Sequence, residues 1–464
     1  MADTKLTGLT ENTSVAAEDL LYSVDDPSSA QLSRKITVAN LLKIINALTN
    51  NTTPATADEL LLYDAGGSEA QKITLANLFT NIDSMVVDEG GTTTTPAANK
   101  VRLYAKADGL LYSKDDAGTE TQVSGGGGGV GLNMLANGGM RIAQRGTSFI
   151  STTLVPNSDG EYTLDRWALL SDGNDIVDVT QEASVLPTGA ENAIKLEVET
   201  ANKQFGIVQI LEAADAEKII GGVASLSFQA RMAAADDNTH SLKAVVLAWD
   251  GTKDEPTLDV VGTWAASITP ATNWTAENTP SSLTLTTSWQ EFTIENISID
   301  TASAKNVAVF IYCDQTDGAI DDAVYITNVK LEEGAEATDY DESPVAIDFT
   351  RCARYCFVWG GNNADEAACS MWVLLNNNSR GPFTLPTKMR TIPSLTISNV
   401  THFLLYNGAN QSDPVTSLTI GKGSPIAPRL DAIDSGAGYT VGAGFLAANG
   451  TTDARMIFDA ELGV

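Results

Sequence analysis

The chain is poor in the residues that most enzyme chemistry needs. Only two histidines, His240 and His402, occur in 464 residues, little material for a Ser–His or Cys–His pair. The four cysteines, Cys313, Cys352, Cys356 and Cys369, follow no framework spacing. Buried free thiols are expected rather than a metal site. Cys352 and Cys356 stand four apart, one face of a helix if a helix forms there, yet zinc would need further ligands. Gly-x-Ser-x-Gly, P-loop, HExxH and CxxC motifs are all missing. Acidic residues are too abundant for any pair to stand out as glycosidase carboxylates. Nor is there a long run of stacked-strand repeats. No catalytic residue is named, and a non-enzymatic protein is expected.

Positive charge is scarce as well: 28 basic residues face 59 acidic ones, a net charge of −31. Such a surface repels nucleic acid and anionic lipid, and favours solubility and divalent cations. No stretch approaches the roughly 18 apolar residues of a membrane span, so no membrane insertion is expected. The opening MADTKLTGLTENTS lacks the basic-then-apolar order of a secretory signal, and synthesis in a cytoplasm without ordinary export is the expectation. Aromatics are few, at 6%, whereas 38 glycines accompany 43% hydrophobic residues. That balance favours many short strands and about three domains.

A repeat opens the chain. Asp19-Leu20-Leu21-Tyr22 leads through a turn to Lys35-Ile36-Thr37-Val38-Ala39-Asn40-Leu41. Glu59-Leu60-Leu61-Leu62-Tyr63 leads likewise to Lys72-Ile73-Thr74-Leu75-Ala76-Asn77-Leu78. Each unit reads strand, turn, strand, with Thr37 or Thr74 as the cap of a short helix. A variant unit sets Val101–Tyr104 and Leu110–Ser113 around the turn Ala107-Asp108-Gly109. Units this small must be covered by neighbours or by another copy of the chain. The unbroken run Gly125–Gly129 then reads as a hinge, placed at 125–131. The phrases "DLLY…DDPS…KITVANLL" and "LYAKADGLLYSKDDAGTETQVSGGGG" resemble the N-terminal and neck sequences of tailed-bacteriophage fibres and adhesins, over roughly residues 15 to 130. The resemblance implies that residues 1–124 fasten the chain to other virion proteins and that the chain is a homotrimer.

The centre, residues 132–343, reads as an antiparallel β-sandwich: short alternating strands such as Ala193–Val198, Leu226–Ala230, Lys243–Trp249, Val307–Tyr312 and Val324–Leu331, with polar loops between. Its flanks, Asn137–Phe149 with Tyr162–Trp167 and Ile326–Ala335 with Thr338-Asp339-Tyr340, resemble the two ends of jelly-roll modules in phage tail and fibre proteins. Those are similar in fold to carbohydrate-binding jelly rolls. Sugar sites pair an aromatic face with carboxylates or amides, which makes Trp249, Trp264 and Trp274 candidate glycan contacts. Asp314, Asp317, Asp321 and Asp322 crowd one loop, without EF-hand spacing, as weak calcium ligands; a solvated acidic turn is the competing reading. No other cofactor is implied.

Residues 344–464 read as a small C-terminal β domain. Phe349–Phe357 admits a short amphipathic helix or a strand, and its "RCARYC" resembles the connector after phage jelly rolls, with Cys356 replacing an aromatic. "LPTKMRTIPSLTI" and "DARMIFDAEL" resemble the tip domain of the same proteins, where receptor contact would occur. Trp359 in Trp359–Asn363 joins the candidate glycan contacts, and Asn376–Arg380 is a second polar loop. The whole is expected to be a mainly β virion fibre, made in the host bacterial cytoplasm and displayed on the virion surface. It would adhere to a host surface glycan or outer-membrane receptor. A capsid or tail decoration protein without receptor binding, and a polysaccharide depolymerase, are the alternatives.

Overall fold

The computed structural model describes residues 95–105, 111–122, 132–233, 241–265, 268–314, 316, 318–361, 363–374, 378–407, 412–435 and 441–463, with strands at 20–25, 32–37, 59–63 and 70–74. The glycine hinge, the helices after Thr37 and Thr74, the turn at 107–109, Asp317, Asn362 and Asn376-Asn377 lie outside the described residues. Two compact units divide the chain after Thr93.

The first unit holds two antiparallel hairpins, matching the repeat. β1 (Leu20–Asp25) pairs with β2 (Leu32–Thr37), and β3 (Glu59–Tyr63) with β4 (Ala70–Thr74). In the second unit, β5 (Arg102–Ala105), β6 (Leu111–Lys114) and β7 (Glu120–Gln122) form a meander with Tyr104 opposite Tyr112.

The sandwich begins with β8 (Ser148–Phe149), β9 (Glu161–Tyr162), β10 (Ala168–Ser171), β11 (Val177–Glu182), β12 (Ala193–Val198) and β13 (Phe205–Ile210). After the one-turn helix α1 (Ala213–Ala216) come β14 (Val223–Met232), β15 (Ser241–Trp249), β16 (Val261–Thr263), β17 (Thr269–Pro270) and β18 (Trp274–Ala276). β19 (Leu283–Thr284), β20 (Gln290–Ser298), β21 (Asn306–Cys313) and β22 (Ala323–Glu333) complete it. One sheet runs β18-β15-β21-β13-β10-β9, the other β20-β14-β22-β12-β11-β8, all antiparallel. From β12 to β15 and again from β20 to β22 the chain alternates between the sheets, the jelly-roll manner of winding. Alternation explains the layering: Ile194, Leu196 and Val198 point into the core with Leu226, Phe228 and Ile311, while Lys195 and Glu197 point out.

The first sheet is apolar on both faces. β15 and β21 are buried along almost their whole length, because residues 250–274 fold back over the outer face with Leu258, Val260 and Val261. Tyr355 and Leu462 cover the rest.

The stretch Phe349–Phe357 takes both of the forms its sequence admits. Helix α2 (Val345–Ala353) ends before β23 (Cys356–Gly360), so Cys352 and Cys356 do not share a helix face. Both thiols are free and buried, and burial pushes them well above the usual range. Beyond lie β24 (Ala367–Val373), β25 (Asn378–Pro382), β26 (Ser394–Ile397), β27 (Phe403–Asn407), β28 (Ser412–Lys422), β29 (Arg429–Asp434), β30 (Gly442–Ala448) and β31 (Arg455–Asp459). Six of them close a barrel, β24-β25-β29-β28-β27-β30, beside the sheet β23-β31-β26.

The phrase Asn137-Gly138-Gly139 is a junction. Asn137 Nδ2 donates to the carbonyls of Ile142 and Asp165, and its backbone amide donates to Asp348 of α2. A Cβ on Gly138 would stand 2.1 Å from the Val329 carbonyl oxygen, so only glycine admits this approach to β22. Among the described residues no helix is long and apolar enough to cross a membrane.

Candidate functional site

The outer face of the second sheet remains polar, and strand register arranges it in rows. Ser148 pairs with Thr180, Thr180 with Lys195, Lys195 with Tyr325, and Tyr325 with Arg231. Gln290 pairs with Ala230, so Trp289 stands beside Arg231 at the end of the same row. Half of this face is closed: Lys330 and Glu332, 3.1 Å apart and buried, are held under Thr338 and Asp339. Among the described residues no such strap lies over the half around Tyr325.

At its centre the Tyr325 ring meets Trp289 edge-on, with centroids 6.3 Å apart, and the Arg231 guanidinium lies 5.6 Å from its centroid. Lys195 bonds Glu197 at 2.8 Å, and both side chains remain partly exposed. Burial tends to weaken the ammonium, but the bond and charge of Glu197 outweigh it and hold Lys195 above its usual range. Burial pushes the Tyr325 hydroxyl upward too, against the nearby Lys195 cation, so it stays a proton donor at neutral pH. Next to the row, Asn328 donates to Gln229 at 2.9 Å. Trp289 Nε1 is buried without an acceptor among the described residues. Half-buried Trp289, Arg231, Lys195 and Glu197 therefore surround Tyr325, which is itself buried at 8% exposure, so the partly exposed groups of the row are the indole ring, two cations and a carboxylate. That combination suits a ligand with an apolar side and many hydroxyls.

The tryptophans singled out from the sequence lie elsewhere. Trp249 and Trp274 are cross-strand partners with centroids 5.2 Å apart, at 4% and 5% exposure. Their N–H groups donate to Thr252 and Thr257, so neither presents a face to solvent. Trp264 is half-buried, edge-on to Phe310 at 5.9 Å. All three belong to, or pack against, the apolar cluster on the outer face of the first sheet. Trp359 belongs to the C-terminal core, against Phe403. In the acidic loop Asp314 is paired with Lys243 at 2.5 Å, Asp322 accepts the Ala319 amide at 2.8 Å, and Asp321 is exposed. Among the described residues no group of three or more His, Cys, Asp or Glu side chains is placed to hold a metal.

No protein-family model and no curated protein matches the chain. Solved structures that match part of the chain include TmCBM61 in complex with β-1,4-galactotriose, at 15% identity and a TM-score of 0.23, covering 36% of this chain and 88% of that one. The CBM22-1 xylan-binding domain of Paenibacillus barcinonensis Xyn10C has 11% identity and a TM-score of 0.27, covering 45% and 98%. The enzymatically active domain of tailspike protein 4 of bacteriophage CBA120 has 15% identity and a TM-score of 0.26, covering 44% of this chain but 21% of that one.

Sequence reasoning passed over Trp289, Tyr325 and Arg231. The signal was present: outward positions in β12 and β22 follow from alternation. What placed Trp289 in the row was pairing between strands far apart in the chain, which no local pattern encodes.

Proposed function

We propose that this chain is a virion fibre of a tailed bacteriophage, without enzymatic activity, which adheres to host-surface glycan through the outer face of its sandwich. The observation that carries the adhesive part is the row Lys195, Tyr325, Arg231 and Trp289. The partly exposed Trp289 ring, backed edge-on by the buried Tyr325, offers a surface to the apolar side of a pyranose, and its cations and Glu197 offer partners for hydroxyls. The virion part is supported by the sequence resemblance of residues 15 to 130 and of the flanks of the sandwich. In this reading residues 1–124 hold the particle, the chain assembles as a homotrimer, and the β regions are displayed at the virion surface.

A glycan array probed with the full chain tests the adhesive part. Retention of a defined glycan set, abolished by Trp289→Ala, is the expected result; a protein that retains nothing would be a decoration protein. Incubation with host capsule or lipopolysaccharide should leave polymer length unchanged, and shortening would make it a depolymerase. Locating residues 1–100 in an intact particle tests the attachment, and finding them facing solvent overturns it.

A further inference from the structure

A cavity of about 550 Å³ opens beside the sandwich where it meets β23 and β31. Thr147, Phe349, Phe357, Trp359, Glu366 and Arg455 line it. The size falls within the ordinary range of small-molecule sites. Three of these six side chains are aromatic, so the wall mixes flat apolar rings with polar groups in nearly equal measure.

Its polar groups are of two complementary kinds. Glu366 Oε2 is shut off from solvent and accepts no hydrogen bond among the described residues. A buried carboxylate oxygen left so is costly unless something donates to it. Arg455 supplies the opposite character. Gly360 and Gly361, at φ of +92° and +83°, turn the chain tightly against it, and a Cβ on Gly361 would stand 2.9 Å from Arg455 Nε. The guanidinium donates to the Arg145 carbonyl at 3.3 Å, and no ion pair joins it to Glu366. Gln144, also in the wall, is already committed: its amide donates to Asp165 and to the Cys356 carbonyl and accepts from Val358. The ligand must therefore donate to Glu366, accept from Arg455 and lay an apolar side on the aromatic wall. A carboxylate ligand would meet Glu366 as a like charge, and an amine would meet Arg455 as one.

We propose that this groove binds one pyranose unit of a saccharide, as a site separate from the outer-face row. It rests on its own residues, so it stands or falls without Trp289.

The test titrates the full-length protein with free glucose, galactose, mannose and N-acetylglucosamine, followed by tryptophan fluorescence and by ligand-observed NMR. At least one sugar is expected to bind saturably. Glu366→Leu and Arg455→Met, each checked for an unchanged unfolding transition, should weaken it by about tenfold or more. The same titrations are run in the Trp289→Ala background, where the outer-face row is removed and saturable binding dependent on Glu366 and Arg455 should persist; loss of all monosaccharide binding there would assign it to the outer-face row and overturn the groove site. Absence of saturable binding by all four sugars, or wild-type affinity in both groove variants, overturns it equally.

Discussion

Arg166 and Glu461 form an ion pair with both side chains buried, the arginine between β9 and β10 and the glutamate just past β31. The same glutamate also meets Arg145 at 3.3 Å, and Arg145 reaches Asp459 at 2.7 Å. Arg166 lies over the Tyr355 ring at 3.6 Å, and the Tyr162 hydroxyl donates to the Leu462 carbonyl at 2.8 Å. The opening of the sandwich is thereby fastened to residues 459–462.

Glu461→Gln keeps the size and removes the charge, leaving Arg166 buried without a counter-ion. Breaking a buried pair this way costs about 3–5 kcal/mol. The urea midpoint should fall accordingly, with sandwich and C-terminal signals still moving in one transition. No shift of the midpoint would contradict the fastening role.

Core and surface tryptophans should separate stability from binding. Trp274→Ala removes a ring packed on Trp249 and should cost about 3–5 kcal/mol. Glycan retention per folded molecule should not change. Trp289→Ala should do the reverse, abolishing retention with a smaller loss of stability. If Trp274→Ala alone abolished retention in folded protein, the site would belong on the first sheet.

The β content and the sandwich were legible because period-two alternation in β12, β14 and β22 is a local property. The repeat hairpins were legible for the same reason. The site was not. Trp249 and Trp274 sit at strand ends beside polar loops, the signature of a rim residue, but the 250–274 stretch returns over its own sheet and buries them. That return is a tertiary event. Likewise the basic and acidic residues of Arg145, Arg166, Asp459 and Glu461 look like surface charge until strands some three hundred positions apart bring them together.

The pH dependence of stability should carry a mark from Asp178. Burial, with the charges of Glu199, Asp175 and Glu197, pushes its carboxyl up to about 6. The folded protein therefore holds this proton more tightly than the unfolded chain, whose aspartates titrate near about 3.9. The contribution is full below the unfolded value and is lost as pH rises through the folded one. Asp178→Asn should then raise Tm at pH 7, with the gain over wild type shrinking toward pH 4. A gain that did not vary with pH would exclude the charge explanation.

Asp314 and Lys243 decide how the acidic loop treats calcium. The pair is buried, 2.5 Å apart, so the carboxylate already has its cation, and the Asp314 backbone carbonyl accepts from Gln204 at 2.6 Å. A divalent ion would have to displace the ammonium from a site with little solvent to receive it. Chelation should therefore leave Tm unchanged. Lys243→Met should destabilise the fold by about 3–5 kcal/mol at neutral pH, because Asp314 would be buried without a partner. A fall in Tm on chelation, reversed by added calcium, would instead show the loop binding the ion through carboxylates other than this pair.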